Sequence, residues 1–417
     1  MVLFARAALR LVVIDARPLL IYRDFRLLWT ARLVTGIGSQ ITYVALWYQI
    51  YQITRSPLAV GLVGLVQVVP ILLLALIGGS LADLLDRRRV VLFTEAALAA
   101  VSILLLANAG FAAPQVWILY VAAALGAGLE TVQRPSLDAL IPRLVDPADL
   151  VPAAAISSLQ QTVGVVAAPA LGGILIATVG LPVTYGVDVA TFLISLGLIW
   201  FMRAVPAARV EAASLSHLTA GLRYALSRRD LLGTYLVDMA AMIFGMPEAL
   251  FPALAVHLGG ARSLGFLFSA PAAGALLAAG TSGWTRRVSR QGTAIAVAAS
   301  VWGLAMVGLG FSPSLLPALA CLALAGGADE ISALFRSAVW NRTIPDDVRG
   351  RVAGVELISY ASGPALGNLE SGVVASLFSV RVSIISGGVL CVAGVAAVLA
   401  ALPAILSIRL PTARPPE

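Results

Sequence analysis

The sequence contains no lysine, and all 28 of its basic residues are arginines. A phosphate-binding loop of the form GxxxxGK[ST] requires a lysine, so ATP-driven work by this chain alone is excluded. The two cysteines, Cys321 and Cys391, lie in apolar runs, which argues against a disulfide framework. The two histidines, His217 and His257, have no metal-ligand spacing. We therefore expect no metal site and no cofactor, and the sequence offers no nucleophile–base set for an enzyme.

Charge is scarce as well, since only 12% of the 417 residues are charged, against about 25% in soluble domains. The shortage extends along the whole chain, which is 60% hydrophobic and has a mean hydropathy of +0.95. This composition is typical of a protein that crosses the membrane many times, and it argues against a soluble domain with one anchor. Residues 1–21 are interrupted by charges and do not resemble a signal peptide.

A helix that crosses the membrane needs about 20 mostly apolar residues. Charge-free runs separated by glycine and proline predict twelve such spans, numbered here in chain order. They are 27–53, 57–82, 90–109, 115–140, 152–179 and 182–202, followed by 231–257, 263–284, 291–311, 315–340, 351–378 and 382–406. The long apolar run after residue 150 is divided at Gly180-Leu181-Pro182. The predicted fold class is therefore an all-α membrane protein with twelve transmembrane helices.

The distribution of arginine tests this topology, because cytosolic loops of membrane proteins carry an excess of basic residues. With both termini in the cytoplasm, 24 of the 28 arginines fall in cytosolic segments. The outside loops contain Arg55, Arg262 and Arg381, and Arg32 lies inside span 1. The asymmetry supports twelve spans with both termini inside. The absence of lysine and the high alanine content suggest a bacterial genome, so the expected location is a bacterial inner membrane. The asymmetry also explains the pI of about 9.9 without nucleic acid as a partner.

The spans divide the chain into two similar halves. The predicted segments are a cytosolic leader (1–26), a first six-helix half (27–203), a cytosolic linker (204–230), a second six-helix half (231–406) and a cytosolic tail (407–417). In the linker, Leu215, Leu218, Leu222 and Leu226 recur at helical spacing and predict an amphipathic helix on the membrane surface. The motif APALGG at 168–173 returns as GPALGN at 363–368. Transporters built from such repeats bind substrate between them near the bilayer midplane.

Several motifs resemble those of a known family. The loop after span 2 resembles the loop 2–3 signature of the major facilitator superfamily through Gly79, Asp83, Asp86, Arg87, Arg88 and Arg89. Pro169, Gly172 and Gly173 resemble its antiporter signature GPxxGG, with Ala168 in place of the first glycine. FRLLWTARL at 25–33, RPSLDALIP at 134–142 and RGRV at 349–352 are similar to the exporter branch that includes enterobactin exporters and macrolide efflux proteins. The resemblance implies the major facilitator fold and export.

The loop after span 2 is predicted to form a gating contact between the halves. Asp83 would face the positive N-terminal end of span 11, near Arg349. Arg87 to Arg89 would pair with Asp138 at the cytosolic end of span 4. Together these contacts would hold the inside closed and favour an outward-open state. The alternative is that the arginines only set the topology.

A charge in the middle of a membrane helix costs about 2.5–3.5 kcal/mol on insertion scales, so such charges indicate function. Spans 1, 4, 7 and 10 line the cavity in the superfamily that this sequence resembles, and they hold most of the charges. The candidates for proton coupling are Asp238, Glu130, Asp329, Glu330, Arg134 and Arg32. Glu130 and Arg134 share a helix face and form either a coupling pair or a permanent ion pair. Asp188 lies close to the outer end of span 6 and is interpreted as structural.

Methionine and aromatic side chains suit apolar ligands of varied shape. The candidates for substrate binding are Gln40, Tyr43 and Trp47 in span 1 and Met239, Met242 and Phe244 in span 7. Each could equally belong to the core or face lipid.

The leading hypothesis is a proton-coupled antiporter that exports a small amphiphilic compound, such as a drug, by alternating access. A siderophore exporter of the same fold is the first alternative, and a non-transporting membrane sensor or scaffold is the second. The expected partners are a small-molecule substrate, protons and the lipid bilayer. The sequence leaves the oligomeric state open, with a monomer as the expectation.

Overall fold

A computed structural model describes residues 15–409 except 85, 205–222, 225–226 and 345, and it describes the backbone alone at 75–84, 229–230, 346–358 and 361. Within the described residues all regular structure is helical. A short helix, Arg17–Ile21, comes first. The first half then contains α1 (Arg23–Thr54), α2 (Pro57–Leu84), α3 (Arg87–Ala109), α4 (Val116–Leu144) and a continuous stretch Leu150–Trp200.

The stretch Leu150–Trp200 is broken at one residue. Gly180 has φ 80° and ψ 172° inside an otherwise helical backbone. Only glycine adopts this region readily, so the chain turns there, and we call 150–179 α5 and 181–200 α6. The break predicted at Gly180-Leu181-Pro182 is confirmed.

The second half begins with a discontinuous helix. It contains α7 (Arg229–Phe244), a 3-10 turn Glu248–Leu250, a short helix Phe251–Leu258, α8 (Ala261–Gly280), α9 (Gln291–Phe311), α10 (Leu315–Thr343), α11 (Asp346–Leu377) and α12 (Val380–Ala401). Helices α1 to α12 correspond in order to the predicted spans.

The sequence predicted one continuous helix for span 7. The structure shows two helices joined by a 3-10 turn instead. Pro247 cannot donate a backbone hydrogen bond, and the helix stops after Phe244. The indole N–H of Trp302 donates to the freed Gly245 carbonyl oxygen at 2.8 Å. The Ala249 N–H donates to the Asn368 side-chain oxygen at 2.9 Å. These bonds satisfy backbone groups that lipid could not.

Nine of the described segments are long and apolar enough to cross a membrane. One of them, 147–200, contains both α5 and α6. Helices α1 and α11 are also long enough but are not among the nine, and α1 carries Arg23, Asp24, Arg26 and Arg32. The molecule is thus a multi-pass, all-α membrane protein, and twelve crossings stays a prediction.

The N-terminal segment is tied to the loop between α4 and α5. The Tyr22 hydroxyl donates to Asp149 at 2.8 Å and to Asp146 at 2.9 Å. The hydrogen bond to Asp149 is the main reason that the pKa of Tyr22 rises to about 12. The raised pKa keeps the phenol protonated over a wider pH range, and its single hydrogen is shared between the two carboxylates.

The repeated motifs lie at equivalent helix contacts. In α5, a Cβ on Gly172 would lie 3.1 Å from Ile41 Cα of α1, and a Cβ on Gly173 would lie 2.6 Å from the Ala261 oxygen of α8. The second copy of the motif lies in α11, and there a Cβ on Gly64 of α2 would lie 2.9 Å from Ala365 Cα. Small residues allow such close approach. The halves therefore meet along α5 with α8 and along α2 with α11.

This packing makes Gly173 a sensitive position. We expect Gly173→Ala to weaken the contact with α8 by about 1–3 kcal/mol through overpacking, which would shift the balance between open and closed states about tenfold. Gly164→Ala is the matched control on the same helix, because nothing lies within 4 Å of its added Cβ. The measurement is labelling of Leu46→Cys by an impermeant thiol reagent, in a chain whose two native cysteines are replaced by alanine. Equal labelling in the two glycine variants would contradict the prediction.

The arginines after α2 do not make the predicted ion pairs. Arg87 donates to the Ala139 carbonyl oxygen at 3.0 Å. Arg88 donates to the carbonyl oxygens of Ile199, at 3.0 Å, and Trp200 at the end of α6. Ile199 and Trp200 are the last residues of α6, and terminal helical carbonyls lack partners and carry partial negative charge, so they attract the Arg88 guanidinium group.

Asp138, the expected partner of those arginines, instead lies 3.8 Å from Arg32 of α1. Asp86 accepts from the Arg89 backbone N–H at 3.2 Å and caps α3. The predicted partners Gly79, Asp83 and Arg349 lie outside the residues whose side chains are described, and so does the proposed linker helix.

Candidate functional site: a cavity lined by the first half

A cavity of about 840 Å³ lies among α1, α2, α3, α4 and α6, with Tyr360 of α11 contributed by the second half. Three predicted substrate-binding residues, Gln40, Tyr43 and Trp47, line it. The charged residues of its lining are Glu130, Arg134, Asp138 and Asp188. With three carboxylates and one guanidinium, the lining carries an excess of negative charge.

Aromatic side chains close one end of the cavity. Tyr43 and Trp47 of α1 contact Phe268 of α8 edge to face, with ring centroids 5.5 Å and 5.9 Å apart. Phe251 packs on Phe268 at 5.1 Å. The Tyr43 hydroxyl also donates to Glu248 at 3.2 Å. These contacts join the two halves near the C-terminal end of α1, on the side that the arginine distribution predicts to be outside.

The other end of the cavity is open to solvent. Glu130, Arg134 and Asp138 follow one another along α4 towards its C-terminal end, and all three are exposed. The side chain of Asp138 is 58% exposed. This end lies on the predicted cytosolic side, so the molecule is closed outside and open inside in the predicted orientation. The outward-open state expected from the gating loop is not the one observed.

Asp188 lies at the centre of this site, where the sequence had indicated a structural role. It is buried, and its carboxylate accepts a hydrogen bond from the Ser102 hydroxyl at 2.6 Å. Thr191 approaches the same carboxylate at 3.4 Å. Within the described residues Asp188 has no ion pair. A buried carboxylate that lines a cavity and has only hydroxyl partners can receive a cation or a proton.

A second buried carboxylate escaped the sequence reasoning. Glu95 of α3 is 4% exposed and accepts a hydrogen bond from Gln133 of α4 at 3.0 Å. It does not line the cavity. The sequence could have identified Glu95, because it is an acidic residue inside predicted span 3 and acidic residues are rare in apolar membrane helices.

Asp238 does not line the cavity, contrary to the expectation from its depth in span 7. It is buried and forms an ion pair with Arg336 of α10. Arg336 also lies 3.8 Å from Asp329 and donates to Ser332 at 3.1 Å. Arg336 had been counted as cytosolic, yet only 2% of it is exposed. The reason is that Arg336 lies inside α10, about two turns before its C-terminal end, on the side that meets Asp238 of α7.

Asp329 is partly exposed, and Glu330 makes no ion pair within the described part of the chain. Neither residue lines the cavity. Of the six residues predicted to couple protons, the structure brings only Glu130 and Arg134 to the cavity wall, and Arg32 reaches it through Asp138.

The predicted substrate contacts of span 7 face other helices instead of the cavity. Met239 accepts a hydrogen bond from Ser359 at 3.2 Å. A Cβ on Gly363 of α11 would lie 3.0 Å from Met242. The Phe244 ring lies against α12, where a Cβ on Gly394 would be 4.0 Å from it. The break after Phe244 and the glycines of α11 and α12 draw these side chains into the second half.

Two helical halves with a central cavity, closed at one end and open at the other, define a membrane transporter fold of the major facilitator type. A family model described as a transmembrane secretion effector matches residues 17–414. The chain belongs to this family of the major facilitator superfamily.

Among curated relatives, the enterobactin exporter EntS of Citrobacter koseri is 29% identical over 374 residues, which cover 89% of this chain and 90% of that protein. EntS of Escherichia coli matches with the same identity and coverage.

Solved structures show the same fold. A bacterial homologue of the human lysosomal transporter Spinster, in an inward-facing and unoccupied conformation, superposes with a TM-score of 0.73 at 17% identity over 94% of this chain and 99% of that one. A peptide transporter, POT, superposes with a TM-score of 0.74 at 11% identity over 93% of this chain and 96% of that one. At these identities the likeness concerns the fold alone.

Proposed function

We propose that this chain is a proton-coupled exporter that carries small amphiphilic compounds, cationic or neutral, out of the bacterial cytoplasm by alternating access. The observation that carries the proposal is Asp188, a buried carboxylate in the wall of an amphiphilic cavity that forms no ion pair with the residues whose side chains are described. The same cavity offers Tyr43, Trp47 and Phe192 for apolar contact. A ligand with a positive charge and an apolar body matches both features.

Coupling follows from competition for the carboxylates. Asp188, which is buried, and Glu130, nearer the open end, place two carboxylates in the cavity wall, and either a proton or a substrate cation can neutralise them. A carrier that exchanges one for the other moves substrate outward as protons enter. The named relatives are exporters, which supports this direction.

A siderophore exporter is the second candidate, and the names of the curated relatives favour it. A catecholate siderophore is anionic, so its cavity should carry net positive charge. The described lining has three carboxylates against Arg134, which favours the first candidate.

The deciding experiment measures uptake into proteoliposomes under an imposed pH gradient, with a panel of cationic, neutral and catecholate compounds. We expect the cationic compounds to accumulate only when the gradient is present, and dissipating the gradient should stop accumulation. Preferential transport of the catecholate would select the siderophore candidate. Equal accumulation with and without the pH gradient would refute proton coupling.

The orientation is also part of the proposal, with both termini in the cytoplasm of a bacterial cell and the closed end of the cavity outside. The arginine distribution supports it. Reporter fusions at Ala112 and Gly180 should report the outside, and a fusion at Arg88 should report the inside. A reversal at any of the three would overturn the orientation.

A further inference from the structure

An apolar groove of about 750 Å³ lies on the surface of the second half among α8, α9 and α10. Three of its lining residues are large, apolar and more than half exposed, namely Leu277 at 68%, Val297 at 57% and Leu324 at 56%. Small residues such as Gly274 and Ala294 form its floor. None of its lining residues lines the central cavity. In a membrane protein this surface faces the acyl chains of the lipid.

One end of the groove is strongly basic. Arg290 lines it, and Arg286 and Arg287 lie in the adjoining 3-10 turn Ser282–Arg287. The backbone of Arg409 pairs with that of Arg290, which brings a fourth arginine to the same place. All four side chains are exposed, and none forms an ion pair within the described residues. The sequence has no acidic residue from 249 to 328 to neutralise them.

Trp284 sets the depth of this basic end. It lines the groove beside the arginines and is 45% exposed. Tryptophan prefers the level of the lipid headgroups, so the arginines lie where phosphate groups lie. The groove below them is deep enough in the membrane to hold acyl chains.

We propose that this groove is a binding site for an anionic phospholipid, with its acyl chain along α8, α9 and α10 and its headgroup phosphate on Arg286, Arg287 and Arg290. Four positive charges that form no ion pair in the described part of the chain lie above an apolar channel, and they complement a molecule that is anionic at one end and apolar at the other. Basic pockets between membrane helices bind acidic headgroups for the same reason. The site is independent of the transported substrate and of the proposed direction of transport.

The first half contains a related groove, which supports the assignment. A cavity of about 550 Å³ lies among α2, α3 and α4, the equivalents of α8, α9 and α10, and Arg89 lines it. Arg89 precedes Val90 and Phe93 of α3 as Arg290 precedes Thr293 and Ala294 of α9. Unlike its neighbours Arg87 and Arg88, Arg89 has an exposed side chain. Arg89 is thus the arginine of the loop motif that lines this groove, whereas Arg87 and Arg88 bind backbone carbonyls in the described structure.

The test is native mass spectrometry of the full chain in detergent, titrated with dioleoylphosphatidylglycerol or with dioleoylphosphatidylcholine. We expect the wild-type protein to bind the anionic lipid at least about tenfold more tightly. The variant Arg286→Gln, Arg287→Gln, Arg290→Gln should lose on the order of a hundredfold in affinity for phosphatidylglycerol at low salt. The matched control is Arg55→Gln, Arg262→Gln, Arg381→Gln, which removes the same charge at the predicted outside loops and should leave binding unchanged.

Two further arms separate the sources of binding. Inorganic phosphate should not displace the lipid, because it cannot fill the groove, and displacement would reduce the site to a simple anion site. Ala294→Phe, which fills the floor of the groove, should weaken both lipids. Equal affinity for the two lipids, or equal loss in the two arginine variants, would overturn the proposal. Thermal unfolding of each variant establishes that it is folded.

Discussion

Replacing Asp188 with asparagine should abolish pH-driven accumulation of cationic substrates while leaving the protein folded. Asparagine preserves the volume of the side chain and can still accept the hydrogen bond from Ser102, so only the charge is removed. Losing one partner of a desolvated charge pair costs about 2–5 kcal/mol. We therefore expect binding of a cationic substrate to weaken on the order of a hundredfold. Neutral substrates should lose coupling to the gradient but keep binding.

The measurement combines substrate binding to purified protein with accumulation in proteoliposomes. Glu370→Gln is the matched control, because Glu370 is also a carboxylate in a long helix but does not line the cavity. Ser102→Ala removes the short hydrogen bond at 2.6 Å without changing charge, and it should have a smaller effect than Asp188→Asn. If Asp188→Asn accumulates cations as the wild type does, the central role of Asp188 is wrong.

The architecture was largely predictable from the sequence. The helix pattern follows from where charge-free runs end, and the break at Gly180 follows from a glycine and a proline close together. These are local features. The same is true of Gly172 and Gly173, since small residues in a motif indicate close helix contacts.

The site was less predictable, because its contacts join distant parts of the chain. Asp188 meets Ser102, which lies 86 residues away in sequence, and no local pattern reveals that pairing. Its position near the predicted outer end of span 6 gave no sign that it lines the cavity. Glu130 and Arg134, by contrast, are four residues apart, so helical periodicity predicted that they share a face of α4. The structure places both in the cavity wall.

Arg336 shows a limit of counting charges. The positive-inside rule treats an arginine near the end of a span as cytosolic, and it has no information about partners on another helix. Asp238 and Arg336 are both almost fully buried, and one helical turn from them Tyr235 stacks on Trp340 at 4.9 Å. The ion pair of Asp238 with Arg336 therefore became visible only in three dimensions.

The two halves carry this ion pair in opposite polarity. In the first half an arginine of the first helix, Arg32, meets an aspartate of the fourth, Asp138. In the second half an aspartate of the first helix, Asp238, meets an arginine of the fourth, Arg336. The first pair is partly open to solvent, with Asp138 58% exposed, whereas the side chains of the second are 4% and 3% exposed. The ion pair between the first and fourth helices is thus accessible to solvent in the first half and buried in the second.

This difference in burial predicts a large difference in stability. Arg336→Leu leaves Asp238 buried without a cation, and breaking a buried pair in this way costs about 3–5 kcal/mol. Arg32→Leu is the matched control in the first half, because it leaves Asp138 open to solvent, and an ion pair with a solvent-exposed partner contributes only about 0–1 kcal/mol. We expect Arg336→Leu to lower the apparent melting temperature strongly and Arg32→Leu to leave it nearly unchanged. Thermal unfolding of the purified proteins in one detergent provides the comparison.

A double variant separates the ion pair from packing. In the single variant Arg336→Leu, the Asp238 carboxylate stays buried without its cation. The double variant Asp238→Asn with Arg336→Leu also removes that carboxylate charge, so it should recover much of the lost stability. The coupling energy from the four proteins of this cycle measures the pair itself. Asp329 also contacts Arg336, at 3.8 Å, and it should retain the arginine when Asp238 alone is changed, which makes Asp238→Asn the milder single variant. A double variant no more stable than Arg336→Leu would show that the arginine contributes through packing and that its charge pairing with Asp238 is dispensable.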